Sequence, residues 1–258
     1  TDLHRDRLDR PRIAVSGARL VRYADRFAVV GQITNADADP AHISLAAELF
    51  GPTLALGREA AGTVAPHRLL PAETAGFRVD FEGVLSLQDA RAEYDPTLFI
   101  PPEFAEAPAT ATLDARALVT GSDLYRGVSL NGIRAEVKNG ALLLTGLAVN
   151  TGTETASITG LTLLLYGPDG LPLWAEAAYV ETNIYPGQSA PFAVTLPLGS
   201  EITVLADLAP SAFTANGRTQ EPDLTPPDAT QGTIPLDPAT GYTHLRILAA
   251  SMTHDPLF

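Results

Sequence analysis

The stretch Gly146-Leu147-Ala148-Val149-Asn150 has the same pattern as Gly31-Gln32-Ile33-Thr34-Asn35, which lies 115 positions earlier. Three further blocks repeat in nearly the same register: Ser16-Gly17-Ala18-Arg19 with Asn131-Gly132-Ile133-Arg134, Leu49-Phe50-Gly51-Pro52 with Leu165-Tyr166-Gly167-Pro168, and Pro71 and Phe77 with Pro186 and Phe192. Repetition at one fixed period indicates an internal duplication. We therefore expect two copies of one domain, residues 13–126 and 127–258, preceded by an N-terminal arm or linker of residues 1–12.

Each copy shows the alternation of half-buried β-strands. Every second residue is apolar in four runs: Ile43 to Leu49, Phe77 to Phe81, Leu161 to Leu165, and Phe192 to Leu196. Successive side chains of a strand point to opposite faces of its sheet, so these apolar positions are predicted to be buried. A last strand is predicted at 113–120 and at 243–250. Frequent Gly, Pro and Asn turns and the absence of helical periodicity predict an all-β fold of two tandem Ig-like antiparallel β-sandwiches.

Three motifs follow one another in a characteristic order in the second copy. Gly146 to Asn150 ends one strand, Leu165-Tyr166-Gly167-Pro168 ends the next, and Pro186-Gly187-Gln188-Ser189 opens a later strand that contains Phe192. This order resembles the FxLYD-type Ig-like domains of bacterial envelope and secreted proteins; the family's Phe is Leu163 here and its Asp is Gly167. The resemblance implies a protein that works outside the cytoplasm, and it implies no catalytic residue.

The composition excludes several classes of function. The 258 residues include 17 Lys and Arg against 30 Asp and Glu, a net charge of −13, and no Cys. Nucleic acids and anionic membranes are bound by basic surfaces, so neither is expected as the main partner. The absence of Cys excludes disulfides, thiolate chemistry and Cys-ligated metals. No run approaches 18 consecutive apolar residues, so no membrane-spanning segment is expected in this chain.

The chain begins at Thr1 rather than at Met. Removal of an export signal and trimming of a longer chain both explain such a start. With the family resemblance, it leads us to expect an extracellular or cell-envelope protein that has been exported. Residues 1–12 are interpreted as a solvated linker or as an arm that adds a strand to a neighbouring subunit's sheet.

Long proline-rich insertions precede the last strand of each copy, at 84–111 and 197–241. Loops of this length within a compact domain are usually functional or disordered. Two interpretations remain open: the insertions cover a sheet edge or cap their own domain, or their apolar side chains contact a partner protein. The residues predicted to make such a contact are Tyr94, Phe99, Phe104, Phe213 and Leu224, with Trp174 from outside the insertions.

The sequence contains no recognisable catalytic motif. It has no nucleophile elbow, dinucleotide fingerprint, phosphate loop or zinc-protease helix, and its five His are scattered. Asn35 to Asp39 alternates oxygen ligands as a calcium loop does, but Pro40 and Ala46 replace its required Gly and Glu, so we interpret it as an Asx turn. Trp174 and Tyr179 are an odd number of residues apart and are predicted to face opposite ways. We therefore predict no catalytic residue, no metal and no cofactor.

Together these features predict a non-enzymatic, exported structural or interaction protein that acts by protein–protein contact at the cell surface or envelope. Its partner is another protein or a second copy of itself, because tandem sandwiches with open contacts in series can assemble into filaments. The alternative is a ligand-binding module, for polysaccharide or calcium, on the same scaffold.

Overall fold

A computed structural model describes residues 12–24, 26–50, 55–59, 63–64, 68–81, 110–119, 124–208, 212–213 and 230–252. Its strands, in chain order, are β1 (Ile13–Tyr23), β2 (Arg26–Asn35), β3 (Ala41–Phe50), β4 (Ala55–Glu59), β5 (Thr63–Val64), β6 (Arg68–Leu69), β7 (Thr74–Phe81), β8 (Thr110–Val119), β9 (Leu124–Tyr125), β10 (Val128–Lys138), β11 (Ala141–Asn150), β12 (Ser157–Tyr166), β13 (Pro172–Val180), β14 (Ser189–Leu196), β15 (Ile202–Asp207), β16 (Ala212–Phe213), β17 (Thr230–Pro235) and β18 (His244–Met252). Two short 3₁₀ turns, Gly199–Glu201 and Pro238–Thr240, also lie in this part of the chain.

The strands form four antiparallel sheets with the same order in both copies. In the first domain, sheet A contains the series β1-β2-β7 and sheet B the series β4-β3-β8. In the second domain, sheet D contains β10-β11-β14 and sheet C contains β13-β12-β18. The predicted fold of two duplicated antiparallel β-sandwiches is therefore confirmed.

The repeated glycine and phenylalanine form a cross-strand pair in each domain. Gly31 lies opposite Phe77 on β2 and β7, and Gly146 lies opposite Phe192 on β11 and β14. A Cβ atom on either glycine would lie 2.7 Å from Cζ of the facing ring. Each ring thus covers the backbone of its glycine, which explains why both positions lack a side chain.

A buried asparagine organises the same corner of both domains. Asn150 Nδ2 donates to the carbonyls of Glu154 at 2.6 Å and Ile184 at 2.7 Å, and Oδ1 accepts the amide of Gly152 at 3.1 Å. Asn35 makes the equivalent bonds in the first domain to Asp39, Leu69 and Asp37. Both side chains are fully buried, and each binds a buried carbonyl, that of Leu69 or Ile184, which would otherwise lack this partner.

The predicted alternation is confirmed by burial. The apolar positions of all four quoted runs are buried, as are Leu245 and Ile247 of the last strand. The apolar residues form two clusters that interlock across the domains. Val21, Ala28 and Val30 of the first domain belong to the second domain's cluster, whereas Leu248 of the second domain belongs to the first. The outer face of sheet A is therefore part of an interdomain core.

We predict that Asn150→Ala lowers the free energy of unfolding by about 1–3 kcal/mol, because it removes the partner of the buried Ile184 carbonyl and of two part-buried groups, the Glu154 carbonyl and the Gly152 amide. Urea unfolding followed by circular dichroism measures this change. Asn183→Ala, at an exposed loop position, is the control and should change it by less than about 0.5 kcal/mol. Equal effects of the two variants would show that the asparagine bonds do not hold the corner.

Candidate interaction surface

The residues predicted to contact a partner fall into three groups. Tyr94, Phe99, Phe104 and Leu224 lie outside the described residues, and their contact role stays a prediction. The backbone of Phe213 lies in β16 and pairs with Ile13 of β1. Trp174 lies in β13 and is only 6% exposed. Of these residues, the described structure therefore gives a side-chain environment for Trp174 alone.

Trp174 is a contact between the two domains. The ring of Tyr23, from the first domain, meets it edge-on at 5.4 Å between centroids. The guanidinium carbon of Arg78, also from the first domain, lies 4.3 Å from the centre of the indole, a cation–π geometry. Tyr179, five residues along the same strand, is 61% exposed, so the predicted separation of the two aromatic rings is confirmed. Trp174 and Tyr179 do not form one stacking platform for a sugar.

Arg78 links charged groups of both domains. Its Nε donates to Asp80 Oδ1 at 2.9 Å, and its Nη1 donates to Glu176 Oε2 at 2.8 Å and to the carbonyl of Ala175. Burial raises the pKa of the Asp80 carboxyl, and the charge and hydrogen bonds of Arg78 oppose that shift. Arg78 therefore favours the ionised form of the Asp80 carboxyl, which burial disfavours.

Further polar contacts join the domains around this centre. Tyr166 Oη donates to Gln32 Oε1 at 2.9 Å. At the end of the first domain, Arg126 pairs through two nitrogens with the fully buried carboxylate of Glu73 in the same domain. Arg19 pairs with Asp169, and its hydrogen bond lowers the pKa of that carboxyl. Together with the contacts of Trp174 and Arg78, these bonds hold the two domains in one relative orientation.

Part of the second insertion covers a sheet edge of the first domain. Strand β15 pairs with β1 from Arg19 to Tyr23, and β16 pairs with its beginning. Leu205 and Leu208 pack against the first domain's core, and Arg19 Nε donates to Asp207 Oδ1 at 2.7 Å. One interpretation of the insertions, that they cover a sheet edge, thus holds for this segment, but the edge belongs to the other domain.

The equivalent surface of the second domain is open. Gly17 and Gly132 occupy the same bulge in β1 and β10, at φ of 59° and 61°. A Cβ on Gly17 would lie 2.6 Å from Pro172 Cδ, whereas a Cβ on Gly132 would meet nothing within 4 Å. Likewise Arg19 is buried and Arg134, its counterpart, is exposed. Among the described residues, no strand pairs with the edge of β10 that faces away from β11.

We call this region the open surface: the outer face of sheet D together with the edge of β10 that no described strand pairs with. Leu147 on the face is 42% exposed and Val137 at the edge is 46% exposed. The sequence interpretation missed this surface. A signal was nevertheless present, because equivalent outward positions change from Val21 and Tyr23 to Glu136 and Lys138 between the repeats.

The described residues include few features of a catalytic or metal-binding site. They contain no group of three or more acidic or His side chains placed to hold a metal ion. Asn35 Oδ1 accepts the amide of Asp37, which confirms the predicted Asx turn.

A cavity of about 10 Å³ lies between the domains and is lined in part by Gly76, Leu164 and Arg246. It holds no more than a water molecule. No helix in the described part of the chain is long and apolar enough to cross a membrane.

Comparison with known proteins gives similarity to solved structures only. No protein-family model and no curated protein matches the chain. A Bacteroides uniformis β-glucuronidase 2 covalently bound to cyclophellitol-6-carboxylate aziridine is 14% identical over 72% of this chain, with a TM-score of 0.22. Red sea bream transglutaminase is 13% identical over 70%, with a TM-score of 0.20. The chain spans 23% and 27% of these two proteins. A chaperone–tip adhesin complex of CFA/I fimbriae is 8% identical over 70% of this chain and 92% of its own, with a TM-score of 0.15.

We predict that Arg78→Ala lowers the free energy of unfolding by about 3 kcal/mol or more, because it leaves the carboxylates of Asp80 and Glu176 without their cation. Trp174 is the chain's single tryptophan, so its fluorescence in a urea titration reports on the interface directly. The exposed Arg22 provides the control Arg22→Ala, which should leave the titration nearly unchanged. A titration of Arg78→Ala that overlays the unsubstituted protein would refute the role given to Arg78.

Proposed function

We propose that this chain is a non-enzymatic, exported interaction protein that acts by protein–protein contact at the cell surface or envelope, through the open surface of its second domain. The observation that carries the proposal is the difference between two equivalent surfaces of one duplicated fold. The outer face and β1 edge of sheet A are covered by the second domain, while the equivalent described residues of sheet D are exposed or half-buried.

The chemistry of the open surface supports contact with a protein. The β11 positions on the outer face are uncharged and mostly apolar: Leu143, Thr145, Leu147 and Val149. Arg134, Glu136 and Lys138 line the adjoining edge and are exposed. An uncharged centre with a charged rim is the arrangement found in protein interfaces.

The rigidity of the molecule also supports this role. The contacts around Trp174 and Arg78 fix the second domain on the first, so the open surface is presented in one orientation. A surface that is ordered before binding loses less conformational entropy when a partner docks. The resemblance to FxLYD-type domains supports the exported setting.

We expect a photoreactive p-benzoylphenylalanine in place of Leu147 to give covalent adducts with protein in cells that produce the chain. The same amino acid in place of Tyr179, which is exposed on the second domain's other sheet, is the control and should give far fewer. Adducts are detected by immunoblotting and identified by mass spectrometry, and cell fractionation tests export. Equal labelling at both positions, or labelling of glycans alone, would contradict the proposal.

A further inference from the structure

Strand β10 has one edge that no described strand pairs with, and the backbone groups at that edge can be assigned. The strand is joined to β11 by the turn Asn139-Gly140, at φ of 53° and 78°, the signs of a type I′ hairpin. Such a turn closes on a hydrogen-bonded pair, here Lys138 with Ala141. Because the bonding direction alternates along an antiparallel strand, the N–H and C=O groups of Ala135 and Val137 point away from β11.

The first domain shows what binds at the equivalent edge. Strand β15 pairs with β1 and sets Asp207 opposite Arg19, whose Nε donates to Asp207 Oδ1 at 2.7 Å. Arg134 is the counterpart of Arg19 in the second domain and is exposed. A strand bound to β10 in the same way brings a carboxylate opposite Arg134.

The sequence of β10 meets this requirement itself. Two copies of the segment Ile133-Arg134-Ala135-Glu136-Val137, aligned in opposite directions, are complementary when Ala135 lies opposite its own counterpart. In that register Arg134 of each copy lies opposite Glu136 of the other, and Ile133 lies opposite Val137. Both charged side chains are exposed, and Val137 is 46% exposed, so a second strand can reach them.

We propose that two copies of this chain pair antiparallel through β10, about a two-fold axis at Ala135. This inference rests on the proposed function and identifies the protein partner as a second copy. The contact is isologous, because each copy contributes the same strand. It joins two three-stranded D sheets into one continuous sheet, gives partners to the backbone groups of Ala135 and Val137, and covers Val137 with Ile133 of the other copy.

The charges of β10 favour this register over its neighbours. Moving the axis by one residue, onto Arg134 or onto Glu136, places like charges directly opposite each other, which is destabilising. An axis at Val137 sets Glu136 opposite Lys138 but pairs only residues 136–138 of each strand, next to the turn. An axis at Ile133 lies in the bulge, where β10 does not follow the regular ladder.

The fold also limits the length of the contact. The bulge at Gly132, at φ of 61°, interrupts the strand on one side, and the turn Asn139-Gly140 ends it on the other. A contact centred on residues 133–137 is short, so we expect a dimer that exchanges with the monomer. The same bulge and charges discourage pairing with arbitrary strands.

The absence of cysteine from the chain permits a test of the two-fold axis with single cysteines. Ala135→Cys should give disulfide-linked dimers on mild oxidation, because opposed residues of a hydrogen-bonded antiparallel pair have Cα atoms about 5.5 Å apart, within the range of a disulfide. Val137→Cys is the matched control on the same edge. It should give few linked dimers, since the two Val137 positions lie about 13 Å apart along the strands.

This comparison separates the register from simple exposure, because Val137 is more exposed than Ala135. Linked dimers of Val137→Cys without linked dimers of Ala135→Cys would overturn the proposed axis. Urea unfolding of both variants under reducing conditions should match that of the unsubstituted protein.

Charge reversal tests the contact without a covalent link. Arg134→Glu and Glu136→Arg each place like charges opposite each other on both sides of the axis. Each should weaken self-association by about tenfold or more, as measured by sedimentation velocity. An equimolar mixture of the two variants should associate again, because every opposed pair then carries opposite charges, and the double variant Arg134→Glu/Glu136→Arg should associate with itself. Both positions are exposed, so unchanged urea unfolding of each variant shows that a loss is not a failure to fold.

The outcomes separate this inference from the proposed function. A monomer at every concentration, or charge variants that associate as the unsubstituted protein does, would overturn the pairing through β10. If the photoreactive group at position 147 then still labels another protein in cells, the proposed function stands with a different partner. If position 147 labels no protein, the proposed function itself fails.

Discussion

An antiparallel sandwich leaves a row of backbone donors and acceptors along each edge strand, and this protein closes one such edge with a strand from its other domain. The pairing of β15 with β1 brings Leu205 and Leu208 against the first domain's core and fixes Arg19 beside Asp207. Each domain's core also includes a residue of the other domain, such as Val21 in the second domain's core and Leu248 in the first domain's core. The stability of the first domain therefore depends on the second, although each has its own sandwich topology.

The two domains keep the same internal skeleton and differ in what covers it. The glycine–phenylalanine pairs and the buried asparagines occupy equivalent places with nearly identical geometry. The outward positions have diverged: Arg78, which stacks on Trp174, corresponds to Ala193 in the second domain. A duplicated fold thus presents one surface as an internal interface and its equivalent as an open surface.

Most of the fold could be predicted from the chain, and most of the candidate site could not. Alternation at Ile43 to Leu49 and at Phe192 to Leu196 identified buried strand faces, because side-chain direction in a strand follows from neighbouring residues alone. Trp174 was expected on a contact surface with a partner protein, but it is buried against Tyr23 and Arg78. Both covering residues lie in the other domain, about a hundred positions or more from Trp174 in the chain, and no local pattern encodes which distant strand packs over a given side chain.

Four features follow from the order and composition of the residues alone: the duplication, the β-strand periodicity, the turn positions and the absence of cysteine chemistry. Each of these is a property of short segments or of overall composition. The tertiary structure decided which edge β15 covers, which face of sheet A becomes core, and which surface of the second domain stays open. These features depend on contacts between residues such as Arg19 and Asp207, which are far apart in the chain. Their pairing results from the packing of one whole domain on another, a constraint that acts only once both sheets have formed.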